Sequence, residues 1–101
     1  MERRWSRRKQ VTQEVLLRYE GLGLMRCETR NVSFEGACIN TGQFSVPIAA
    51  QVELVFPQHQ NTKVEDVCIG ASVVRTYKDG IGVNFSHYHN GSYKYLLELL
   101  D

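Results

Sequence analysis

The chain has 101 residues, 43% apolar and 23% charged, which suits one domain with a real core and is too apolar for a disordered tail. Its net charge of +1 hides an uneven split: residues 1–9 hold five Arg or Lys against one Glu, so they carry +4 and the remainder −3. A near-neutral body with a basic arm argues against a general DNA binder, which spreads positive charge over a whole face, and favours a small anionic ligand held locally.

Arg3-Arg4-Trp5-Ser6-Arg7-Arg8-Lys9 opens the chain, five cations and one aromatic ring in seven residues. Arg3 and Arg7 form an RxxxR pair, and Arg4 and Arg8 an overlapping one. Guanidinium is planar and permanently charged, so it forks onto phosphate oxygens or onto the O6/N7 edge of guanine. A solvated basic tail is the plain alternative for the same run. Trp5 fits equally a purine-stacking residue and one that packs the arm on the body. No apolar signal region follows the basic start, and no stretch nears the roughly 18 apolar residues of a membrane span. The three cysteines, Cys27, Cys38 and Cys68, are odd in number and lack CxxC spacing, so neither a disulfide framework nor a zinc ribbon is indicated. The expectation is a cytoplasmic protein.

Beyond the arm, Val11, Val15, Leu17 and Tyr19 alternate with Thr12, Glu14, Arg18 and Glu20, the period of a half-buried strand. Glu20 to Gly23 reads as a turn, and Leu24 to Arg30 as the returning strand. Asn31 to Gly36 breaks the ladder. Ala37 to Thr41 is strand-like, Gly42 to Ala50 a loop, and Val52 to Phe56 a strand stopped by Pro57. Val64 to Tyr77 is a long β-rich run in which Val67, Ile69, Ala71 and Val73 share a face. Lys78-Asp79-Gly80 has hairpin-turn chemistry, since Asp-Gly tolerates positive φ, and Ile81, Val83 and Phe85 alternate after it. The period then changes: Tyr93, Leu96, Leu97 and Leu100 mark one face of a helix over 90–100, with Asn90 or Ser92 as cap. Six antiparallel strands and one terminal helix predict a small, mainly β, closed or nearly closed barrel with the helix packed on it. The predicted organisation is an arm, 1–9, and a barrel domain, 10–101.

Asn31 and Ser33 stand two apart, so they can project the same way from a strand end. Asn offers a donor and an acceptor to a guanine edge, Ser a hydroxyl, while Gly36 supplies positive φ or close backbone approach. Local physics alone favours an ordinary Asx or Ser turn here. His87 and His89 form an HxH, but His59 is the only other histidine and no cysteine is suitably spaced, so loop histidines are the better reading than a metal site. No acidic dyad suits hydrolysis, and Ser33 has no evident base. No catalytic site, metal or cofactor is expected.

Taken together, Arg3-x-x-x-Arg7 and Asn31-x-Ser33-x-x-Gly36 resemble the RxxxR and [D/N]xSxxG motif pair of the PilZ domain. The likeness runs along nearly the whole chain: Gly36-Ala37-Cys38-Ile39 resembles the strand after the second motif, and Gly80-Ile81-Gly82-Val83-Asn84-Phe85 the family's "giGvxF" strand. The resemblance implies a six-stranded barrel that binds the bacterial second messenger cyclic di-GMP, with a mobile arginine arm that wraps over the ligand. It assigns Arg3 and Arg7 to the arginine positions with Arg4 and Arg8 as helpers, Asn31 and Ser33 to guanine contacts, and Gly36 to the turn. The 4/8 register stays open beside the 3/7 register taken here. Asn in place of Asp removes a carboxylate that could face a guanine N1/N2 edge. The expected role is a non-enzymatic receptor that changes conformation and signals to an unidentified effector protein, in motility, exopolysaccharide synthesis or another process under the same messenger. A PilZ-fold interaction module that ignores the nucleotide is the alternative. Single-stranded nucleic acid binding is disfavoured, because the strands lack spread basic and aromatic residues.

Overall fold

The structure is a computed structural model that describes residues 9–20, 22–57, 66–89 and 91–100. Six strands and one helix follow in order: β1 (Glu14–Tyr19), β2 (Gly23–Val32), β3 (Gly36–Asn40), β4 (Gln51–Phe56), β5 (Val67–Tyr77), β6 (Gly80–Tyr88) and α1 (Ser92–Leu100). The strands close into an antiparallel barrel, as expected, and their order is β1-β2-β3-β6-β5-β4.

Alternation sets the core. Val15 and Leu17 of β1, Met25 and Cys27 of β2, Leu54 and Phe56 of β4, Ile69, Ala71 and Val73 of β5, and Ile81 and Val83 of β6 all point inward and are buried. Each fully buried Val, Leu, Ile or Phe contributes about 1.5–3 kcal/mol. Val46 of the β3–β4 loop is buried with them. Thr29 is the polar member of this face. Its Oγ1 donates to the Val11 carbonyl and accepts the Gln13 N–H at 3.0 Å, which fastens the segment before β1 to β2.

Of the three interruptions of the ladder among the described residues, two decide which residues face out beside the end of β2. Thr29 pairs with Ile39 but Asn31 pairs with Cys38, so Arg30 is a bulged extra residue on β2. Val73 pairs with Val83 but Arg75 with Gly82, so Val74 is the extra residue on β5. One inserted residue inverts the in–out parity of all that follow. Asn31 would otherwise share the inward face of Cys27 and Thr29, and Arg75 that of Ile69 and Val73; the bulges turn both outward. The second strand therefore runs through Val32, two residues beyond the expected break.

The helix starts at Ser92, later than expected. Ser92 is buried and its hydroxyl donates to the His89 carbonyl at 2.7 Å, so it anchors the incoming chain instead of accepting a helix N–H as a cap does; Asn90 lies outside the described residues. The helix face is also rotated from expectation. Leu96 is buried, and Tyr95, Leu99 and Leu100 pack on the core, Tyr95 meeting Phe56 at 5.2 Å between ring centroids. Tyr93 and Leu97 are 54% and 47% exposed. Tyr93 turns sideways instead, toward Phe34 at 5.5 Å and Tyr88 at 6.1 Å. At Lys78-Asp79-Gly80 the expected positive φ is absent. Gly80 is needed for space: a Cβ there would stand 2.4 Å from the Ile39 carbonyl oxygen.

Candidate functional site: a cleft across four strands

The bulges bring one residue from each of four neighbouring strands into a single transverse row. Asn31 of β2 pairs with Cys38 of β3, Cys38 with Gly82 of β6, and Gly82 with Arg75 of β5. Asn84 and Tyr77 flank this row, and together these six residues line a cleft of about 290 Å³ on the outer wall of the barrel. That is close to the lower end of the roughly 300–1,000 Å³ of small-molecule pockets, room for part of a dinucleotide and not all of it. A wider depression beside Arg26, Glu28 and Phe44, about 530 Å³, is larger but shallow and carries none of the motif residues.

The end of β2 and the turn after it form the rim. The Ser33 N–H donates to the Gly36 carbonyl at 2.8 Å, and the Ser33 hydroxyl accepts the N–H groups of Glu35 and Gly36, each at 3.2 Å. The same hydroxyl lies 3.3 Å from the Gly36 carbonyl as donor. The Tyr88 hydroxyl donates to the Phe34 carbonyl at 2.6 Å, and the Phe85 N–H to the Glu35 carbonyl at 2.7 Å. The turn is thus bonded throughout. Gly36 is required by close approach and not by φ: a Cβ would stand 2.1 Å from the Val83 carbonyl oxygen. The expectation that Asn31 and Ser33 project together is not met. Asn31 faces the cleft, while Ser33 is 2% exposed and its hydroxyl is taken up by the turn.

The arm joins the barrel at this rim. Lys9 and Val32 exchange both backbone hydrogen bonds at 2.9 Å, so residue 9 is already fastened one position from Asn31. Arg3, Arg4, Trp5, Arg7 and Arg8 lie outside the described residues.

Charge on the barrel wall is mostly neutralised locally. Arg18 pairs with Glu53, Arg26 with Glu14 at 3.0 Å, and Arg30 with Asp79 at 2.7 Å. Arg75, in the cleft, has no carboxylate partner among the described residues. The Arg30 hydrogen bond holds the Asp79 carboxyl below the usual carboxylate range. This pair, with the Thr41 and Gly42 N–H groups on the Asp79 carbonyl at 3.0 and 3.2 Å, pins the β5–β6 hairpin beside β2. Arg75, Tyr77 and Asn84 escape the sequence reading, the first two because parity along β5 assigns them inward. The rings of His87 and His89 lie 4.8 Å apart, with His89 3.5 Å from Glu53, and no group of three or more metal-ligating side chains exists among the described residues.

The PilZ domain model matches residues 2–101. The chain belongs to the PilZ family. PilZ is a family of cyclic di-GMP receptor and adaptor domains, not of enzymes. Among solved structures, this PilZ domain is similar to the Bacillus subtilis inhibitor of motility, MotI/DgrA, with a TM-score of 0.77 and 18% identity over 97% of this chain and 49% of that one. It therefore spans about half of that relative's length. It is also similar to the PilZ domain of CeSA from a cellulose-synthesizing bacterium, with a TM-score of 0.70 and 14% identity over 93% and 94% of the two chains. At such identities these likenesses establish the fold. No curated protein sequence matches the chain. Among the described residues, no helix of this PilZ domain is long and apolar enough to cross a membrane.

Proposed function

We propose that this PilZ domain is a cytoplasmic receptor that captures cyclic di-GMP between its arginine arm and the four-strand cleft, and passes that occupancy to an effector protein. The observation that carries the reading is the convergence at one rim: residue 9 is rooted at Val32, next to an outward Asn31 and a cleft whose Arg75 has no carboxylate partner among the described residues. The cleft is smaller than the ligand, so a second jaw is needed, and the arm supplies it. Arg3 and Arg7 take phosphate oxygens and a guanine edge, each charge-assisted bond worth about 1.5–3 kcal/mol, with Arg4 and Arg8 as helpers. Asn31 meets a guanine edge from the barrel side. Ser33 and Gly36 hold the turn that presents it. No cofactor and no catalytic step are involved; ordering of the arm changes the surface that the effector reads.

Calorimetric titration with cyclic di-GMP tests this. Wild type is expected to bind in the micromolar range or tighter. Arg7→Ala and Asn31→Ala should each lose tenfold or more, about 1.4 kcal/mol. Ser33→Ala should lose affinity together with thermal stability, since the buried Gly36 N–H and the part-buried Glu35 N–H lose their acceptor. No heat from wild type at tens of micromolar ligand overturns the receptor reading and leaves the interaction module.

A further inference from the structure

The motif residues occupy one side of the cleft; the other side is built by the β5–β6 hairpin, and its geometry is that of a base slot. Gly82 sits in the middle of the row, where any side chain would fill the floor. A Cβ placed on it would lie 3.7 Å from the Tyr77 hydroxyl oxygen and 3.8 Å from Tyr77 Cε2, so the hydroxyl end of that ring reaches over the bare backbone. Tyr77 is nevertheless 45% exposed: part of the ring rests on the barrel and part faces solvent. The same point is 3.4 Å from Arg75 Cβ, which places on the neighbouring position of the same strand face a guanidinium that has no carboxylate partner among the described residues. The hairpin is held in place from below by Arg30 on Asp79 and by two N–H groups on the Asp79 carbonyl. The wall is therefore preorganised, which lowers the ordering cost of binding.

We infer that Tyr77, seated over Gly82, is the stacking platform for one purine of the ligand, so that the hairpin contributes the base-stacking surface. This rests on the receptor reading of the same cleft. An aromatic face offered to solvent beside an arginine is the arrangement that holds a nucleobase by its π surface. The absence of a side chain at Gly82 is what lets the ring and a base share the floor. The bulge at Val74 is what turns Tyr77 outward at all.

The experiment uses the full chain, cyclic di-GMP as the probe, and three variants: Tyr77→Phe, Tyr77→Ala and Gly82→Val. Calorimetry gives affinity, and ring-proton chemical shifts of Tyr77 report stacking directly. Tyr77→Phe should bind within about threefold of wild type, because the π face is kept. Tyr77→Ala should lose about fivefold or more with its melting temperature little changed, fivefold being the weaker end of one base–aromatic stack. Gly82→Val, which fills the floor, should lose at least as much; if it fails to fold, the tyrosine variants decide. In wild type the Tyr77 ring protons should shift upfield in proportion to occupancy. Full binding heat without that shift, or Tyr77→Ala binding as wild type does, overturns the platform and leaves the receptor reading intact. No binding by wild type overturns both.

Discussion

Cys38 stands between Asn31 and Gly82 in the middle of the cleft row, half-buried, whereas Cys27 is buried in the barrel and burial pushes its thiol up from the usual range. Since the thiolate is the nucleophile, an alkylating reagent at mildly basic pH should modify Cys38 and Cys68 and spare Cys27 until the protein unfolds. Cyclic di-GMP should then protect Cys38 and not Cys68, as read by mass spectrometry of the alkylated peptides; equal rates with and without ligand would place the ligand elsewhere. Single residues also mark how far the sequence could be read. Asn31, Ser33 and Gly36 were found by spacing, but their division of labour was not. Spacing puts Asn31 and Ser33 on one side, whereas the bulge at Arg30 exposes the first and the turn buries the second. Gly36 had two possible reasons for being glycine, and only a packed neighbour, the Val83 carbonyl, could choose between them. Arg75 and Tyr77 were hidden for the same reason in reverse: nothing in Val73-Val74-Arg75 announces an extra residue, because a bulge is settled by the partner strand.

Among the elements, the β5–β6 hairpin and β2 are joined by the exposed Arg30–Asp79 pair. The guanidinium lowers the Asp79 carboxyl, and the carboxylate in turn raises Arg30. A carboxyl with a lowered folded-state pKa adds stability above its unfolded value, about 3.9, and that contribution is lost as pH falls through the folded value. Asp79→Asn should therefore melt slightly below wild type at pH 7 in low salt. The gap should close as pH drops below the carboxylate range, and also in molar salt, where an exposed pair is screened. Thermal melts followed by circular dichroism at the two pH values check both; a gap that persists in acid would mean that Asp79 acts through its backbone alone. The strands themselves were legible because stretches of period-two apolar alternation survive between the bulges, as in Val15 and Leu17 of β1 or Ile69, Ala71 and Val73 of β5. The helix was legible in extent but not in rotation. Its leucines are dense enough to offer more than one apolar stripe, and the seam was chosen by Phe56 against Tyr95 on one flank and by Phe34 and Tyr88 against Tyr93 on the other.

For the molecule as a whole, on the receptor reading, the barrel and the basic N-terminal residues divide the work. Every core side chain among the described residues lies at or beyond Val11, so removal of residues 2–8 should leave the melting temperature within a few degrees while abolishing cyclic di-GMP binding by calorimetry. A large loss of stability would instead assign the arm to the folded body. Net charge was a poor guide at this scale, since the acidic balance of the body offsets the arm. The closure of the sheet has a different kind of consequence. With β1 hydrogen-bonded to both β2 and β4, the ring of strands has no open edge, and an effector has no row of vacant backbone groups to extend by adding a strand of its own. Whatever protein reads this domain must recognise side chains, on its turns, its helix or its outer wall. Its specificity is then written in residues that substitution can change one at a time without touching the fold.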